Sequence, residues 1–317
     1  MSLHEISPLG LYSSAYDNRQ ELGEARRLEA LQFIRVARVT TPEVLGLFLG
    51  LHHSESRSRL ITRLQKDKLI KIRNVGHPRY RKLIFLTKKG FQKGYEGPLS
   101  YRPKSKISIR TIDHDLVVQA VAMGLIERLD EDHDIEDPGT TLRFEIAFSP
   151  VLNELSVKKP DAVIRLWVLN IYAEDAQAEI KETIAIEYEA SPKNLDSANK
   201  TLLNLADLLE PPLEAHPWEF DEGDDDPDYR ELLERQCGSG GISKVLVVAR
   251  PPALADKYQG IIEKGVAAVK VHRDDDGNWL YKTRKLPEKI TAIQTTRMDW
   301  GFHDDFVRAL EQAMRGT

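Results

Sequence analysis

The run ETIAIEYEAS, residues 182–191, constrains the fold more than any other stretch of this chain. Ile184, Ile186 and Tyr188 alternate with Ala185, Glu187 and Glu189, a period of two that predicts a strand with its apolar side chains on one face and both glutamates on the other. Upstream lies a second apolar run, KKPDAVIRLWV, with Asp161 directly after Pro160. If the two runs pair as adjacent strands, Asp161 and Glu187 converge on one side of a sheet edge and offer hard oxygen ligands to Mg²⁺ or Mn²⁺. The plainer alternatives are that Glu187 and Glu189 are solvated on an edge strand and that Asp161 caps a turn.

The segments around this pair fill in a layered domain. TIDHDLVVQAVAMGLIERL reads as an amphipathic helix with His114, Val118, Val121 and Leu125 on one face, so His114 is either a core histidine with a satisfied hydrogen bond or a site residue. TLRFEIAFS is a first strand, and Ser191-Pro192 opens a helix whose stripe is Leu195, Ala198, Leu202, Leu205 and Leu209. Residues 210–228 are proline- and acid-rich, a solvated insertion whose aspartates lack the spacing of a calcium loop. A buried strand over Lys244 to Ala249, a helix from Ala255 to Gly265, two strands joined by Asp275-Asp276-Gly277 and a closing helix from Phe302 to Met314 complete the order. No internal repeat interrupts it.

Composition sets the limits. With 317 residues, 41% hydrophobic and 30% charged, the chain supports two cores. No apolar run reaches the length of a membrane span and the first ten residues lack the pattern of a signal peptide, which predicts a cytoplasmic protein with no membrane partner. The lone Cys237 excludes an intrachain disulfide and a cysteine zinc cage. The net charge of −5 hides a strong asymmetry: residues 57–110 hold 17 Lys and Arg against Asp67 and Glu96, a local charge of +15, while the residues after Arg110 sum to −18. One segment is therefore a polyanion surface in waiting, and the rest repels nucleic acid except where a metal or local basic groups intervene.

The basic segment has its own architecture. A helix from Glu24 to Arg38, with Leu28, Leu31, Phe33 and Ile34 making its apolar contacts, precedes a helix from Glu43 to Leu49 opened by Thr41-Pro42. A third runs from Ser54 or Ser56 to Lys68, with Leu60, Ile61 and Leu64 inward and Arg59, Arg63 and Lys66 outward. LIKIRNV, a turn at Gly76 to Arg79, and YRKLIFLTKKG follow as a hairpin and a short capped helix. This order resembles the winged helix-turn-helix domains. The resemblance implies that Arg57, Arg59, Arg63 and Lys66 face double-stranded DNA from the third helix, and Arg73, Arg79, Arg81 and Lys82 from the wing. Such domains also serve as protein-interaction modules; the concentration of positive charge favours DNA.

Helix, strand, strand, strand, helix, strand, with Pro-Asp on the second strand and an acidic pair on the third, resembles the PD-(D/E)XK nuclease superfamily over about residues 111–250. With a winged helix in front, the chain looks like the replication-relaxation proteins and MobC-type relaxases of mobilisable plasmids. That resemblance implies an α+β chain: a polar leader over 1–23, a winged helix over 24–97, a linker over 98–110, and a nuclease-like domain with a mixed central sheet over 111–317. It implies Asp161 and Glu187 as ligands of Mg²⁺ or Mn²⁺, His114 as a site histidine, and plasmid mobilisation or replication proteins as partners. The superfamily lysine two residues after Glu187 is replaced by Glu189, and Lys193 is the candidate to supply the cation. The expected function is a metal-dependent, site-specific DNA endonuclease or relaxase. The alternative is a non-catalytic DNA-binding or transcription-regulatory protein whose nuclease-like domain is an interaction platform.

Overall fold

The computed structural model describes residues 19–51, 53–75, 81–94, 109–132, 140–148, 160–170, 178–209, 241–273 and 277–294. The chain begins with α1 (Arg19–Ala37), α2 (Pro42–Phe48) and α3 (Ser54–Lys66), followed by the antiparallel hairpin β1 (Ile70–Asn74) and β2 (Lys82–Leu86) and the short α4 (Lys88–Gln92). Local chemistry explains the boundaries. Thr41 caps α2 by accepting from the Val44 N–H at 3.2 Å, with Pro42 in the first turn, and Thr87 caps α4 by accepting from the Gly90 N–H at 3.0 Å. Leu31, Phe33 and Ile34 are buried as the periodicity predicts, but Leu28 is exposed because it falls on the outer edge of the α1 stripe.

The second part is an α+β layer structure: α5 (Ile109–Asp132), β3 (Thr140–Phe148), β4 (Ala162–Asn170), β5 (Ala178–Glu189), α6 (Leu195–Leu209), β6 (Lys244–Ala249), α7 (Pro252–Lys264), β7 (Val266–Arg273), β8 (Trp279–Lys285) and β9 (Ile290–Gln294). A mixed five-stranded sheet runs β3-β4-β5-β6-β9. The first three strands form an antiparallel meander, whereas β6 and β9 join in parallel. Strand β9 has no counterpart in the sequence reading. β5 is the middle strand, so the expectation of glutamates at a sheet edge is corrected: pairing of β6 on its far side closes that edge. The expected helix over Phe302 to Met314 and the acidic insertion lie outside the described residues.

Alternation on β5 sorts the interior. Ile184, Ile186 and Tyr188 pack with α5, and this core continues without a break into α1, α2 and α3. Ala185 faces a second core built from α6, α7, β6 and β9. Phe33 links the halves, stacked on Phe48 with centroids 4.4 Å apart and edge-on to Phe148 at 6.1 Å. Gln119 of α5 donates to the Val39 carbonyl at 2.8 Å across the same boundary. Among the described residues, no helix is long and apolar enough to cross a membrane.

Candidate functional site

Two groups of polar side chains meet at the end of β5, one at the α5 face and the other against α6 and α7. On the α5 side, Asp161 stands immediately before β4 and extends the ladder past the strand's first residue. Its N–H donates to the Ile186 carbonyl, and its Oδ2 accepts from the Tyr188 N–H, both at 2.8 Å. His114, on the first turns of α5, brings Nε2 to 3.4 Å from the same Oδ2 and Nδ1 to 3.6 Å from Asp115 Oδ1, while its ring lies against Tyr188 with centroids 5.3 Å apart. Burial opposes a charge on His114, but the hydrogen-bonding and charge of Asp115 and Asp161 outweigh it and hold the imidazole pKa up at about 10. His114 is thus not an apolar core residue: it stands between two carboxylates that favour its protonated form.

On the opposite face, Glu187 and Glu189 are 5% and 7% exposed, so they are not solvated. A buried carboxylate requires partners, and the start of α6 supplies one. Asn194, not Ser191-Pro192, caps that helix: its Oδ1 accepts from the Ser197 N–H at 2.8 Å. Lys193 therefore lies just ahead of the helix, in non-helical backbone. Its Nζ pairs with Glu189 Oε1 and donates to Thr201 Oγ1 at 3.0 Å. Tyr258, at the i+4 position from Leu254 on the apolar face of α7, donates to the same Glu189 oxygen at 3.3 Å. Burial, and then the negative charge of Glu189, pushes the Tyr258 phenol well above its ordinary range. Tyr258 and Thr201 carry no local signal of this role; only the helical period of α7 places Tyr258 inward.

Comparison with protein-family models, curated proteins and solved structures finds no match.

Of the two carboxylates that the sequence nominates for an ion, Asp161 is engaged by Tyr188 and His114; Glu189, next to the second of them on the same face, is engaged by Lys193 and Tyr258. Glu187 lies on the Glu189 face, and the backbone of β5 stands between that face and His114. Among the described residues, no three His, Cys, Asp or Glu side chains are placed to share a metal ion.

The basic segment presents a different surface. Ile61 and Leu64 anchor α3, Leu60 is partly buried, and Arg59, Arg63 and Lys66 are exposed along its outer side. Arg73 on β1, Lys82 at the start of β2 and Arg81 just before it are exposed as well. Arg57 differs: it lies across Gly46 and donates to the Leu51 carbonyl at 3.2 Å, which commits it to the junction of α2 and α3. Arg79 lies outside the described residues.

Proposed function

We propose that this chain is a DNA-binding protein whose first unit is a winged helix seated on duplex DNA, with α3 in the major groove and the β1–β2 hairpin against the backbone or minor groove. The observation that carries this reading is the single exposed line of Arg59, Arg63 and Lys66 on a helix whose other side is anchored in the core. Glu55 pairs with Arg59 four residues on, an exposed contact weak enough to yield to a phosphate. Plasmid or mobile-element replication or mobilisation is the setting this architecture suits. Arg59→Ala with Arg63→Ala should weaken duplex binding at low salt and reduce the slope of log affinity against log salt by about two. Unchanged binding and slope in the double variant would remove α3 as the recognition element.

For the second unit we propose a PD-(D/E)XK-like core acting as a rigid platform, since Asp161 on one face of β5 and Glu189 on the other are each engaged by protein side chains. A metal-dependent endonuclease or relaxase is the second reading. It is favoured by the helix–meander–helix–parallel strand order and by Lys193, which brings an ammonium to Glu189, the residue that stands where the superfamily has a lysine. Supercoiled plasmid incubated with Mg²⁺, Mn²⁺ or EDTA separates the two. Nicking that needs the metal and disappears in Asp161→Ala and Glu187→Ala establishes the nuclease; intact plasmid with normal DNA binding leaves the platform.

A further inference from the structure

The β7–β8 ribbon carries a surface that neither the duplex-binding unit nor the acidic cluster uses. Its base is tied to the body of the protein: Ala267 is buried, the Ala268 N–H donates to Asn199 Oδ1 at 3.1 Å, and Arg284 pairs with Asp207. Beyond this base both strands stand in solvent, and Trp279 and Tyr281 are 41% and 54% exposed. Large aromatic rings held on an exposed face require an explanation, because leaving them in water forgoes their burial energy.

The register of the ribbon supplies one. Tyr281 stands opposite Lys270 and Trp279 opposite Arg273, with a bulge between Lys270 and Arg273. In a regular strand two residues three apart point to opposite faces; the extra residue of the bulge returns both cations to the face of the two rings. The contacts bear this out: the Arg273 guanidinium lies 4.9 Å and the Lys270 ammonium 5.6 Å from the Trp279 ring centroid. Lys285, exposed, continues the same face past Thr283. Lys270 is shared with Asp196 of α6 at 3.1 Å. The described residues of the ribbon contain five Lys and Arg and no acid, whereas the whole stretch after Arg110 sums to −18; Asp274 to Asp276, at the connecting turn, lie outside the described residues.

We infer that this face binds single-stranded nucleic acid, with unpaired bases stacked on Tyr281 and Trp279 and the phosphates following Arg273, Lys270 and Lys285. Alternating rings and cations match a polymer whose flat bases and negative charges also alternate, and stacking of this kind tolerates any base sequence. The inference goes beyond duplex recognition by α3 and does not depend on it. A protein that seats a duplex and holds an unpaired strand on a second surface is equipped to act where DNA is opened.

The test is anisotropy of a labelled oligo(dT) strand, and separately of a labelled duplex, titrated with the full chain. Trp279→Ala with Tyr281→Ala should weaken oligo(dT) binding roughly fivefold or more for each stacked base lost, while duplex binding stays within about twofold. Trp279→Phe with Tyr281→Phe, which keeps the rings, should restore most of the oligo(dT) affinity. Arg59→Ala with Arg63→Ala should give the converse pattern, so failure of the ribbon and failure of the α3 reading are distinguishable. The inference is overturned if the wild type does not bind oligo(dT), or if the alanine variant binds it equally well. It is overturned too if sedimentation shows a wild-type dimer that the alanine variant dissolves, since the face is then a contact between copies.

Discussion

At the scale of single residues, the two faces of β5 differ in how they respond to loss of charge. His114 has an ordinary pKa of 6.5 and a folded value of about 10. A pKa raised by folding means that the ion cluster with Asp115 and Asp161 contributes its full stability below pH 6.5, and that this contribution is lost as the pH climbs through about 10. Urea midpoints for the wild type should therefore fall more steeply between pH 7 and 10 than those of His114→Gln, a comparison that cancels other titrating groups to first order. Equal slopes would mean that the cluster does not hold the proton. On the other face, Lys193→Met leaves the Glu189 carboxylate buried without its ammonium. We expect a loss of about 2 kcal/mol or more in chemical denaturation, largely recovered by adding Glu189→Gln, because the neutral amide no longer carries the desolvation penalty.

At the scale of elements, close backbone approach decides how α4 and the hairpin fit. A Cβ added to Gly90 would stand 1.9 Å from the Leu69 carbonyl oxygen, a backbone atom at the start of the hairpin that cannot swing aside. Gly90→Ala should cost about 2–3 kcal/mol and lower the melting temperature, since α4 must lift from the strand that its Thr87 cap adjoins. Gly46→Ala provides the contrast. There the obstructing atoms belong to the Arg57 side chain, which is flexible, so the variant should fold with a smaller penalty and release Arg57 from the Leu51 carbonyl. Paired melting curves for the two variants check the order.

At the scale of the whole molecule, a continuous core runs from α1 through α5 to the sheet and joins the two parts. Phe33 has no exposed surface; it stacks on Phe48 of the first part and meets Phe148 of the second edge-on. Phe33→Ala should cost about 3–5 kcal/mol. Unfolding should remain a single transition, with circular dichroism and tryptophan fluorescence coincident in both wild type and variant. Two separated transitions would show that the parts are energetically independent.

Much of this was legible from the residues. Period-two alternation in ETIAIEYEAS was enough to separate Tyr188 from Glu187 and Glu189, and the Thr41-Pro42 signal placed a helix start, because alternation and capping are local chemistry acting over a few residues. The basic line on α3 was readable for the same reason: helical period alone decides which side Arg59 and Arg63 take. What only the tertiary structure decided was company. Whether Glu189 meets water or Lys193, Thr201 and Tyr258, whether Asp161 opens toward a ligand or closes on His114 and Tyr188, and whether β5 is an edge or the centre all depend on segments far apart in the chain. Such contacts follow from how layers stack, and stacking leaves no fixed spacing in the sequence.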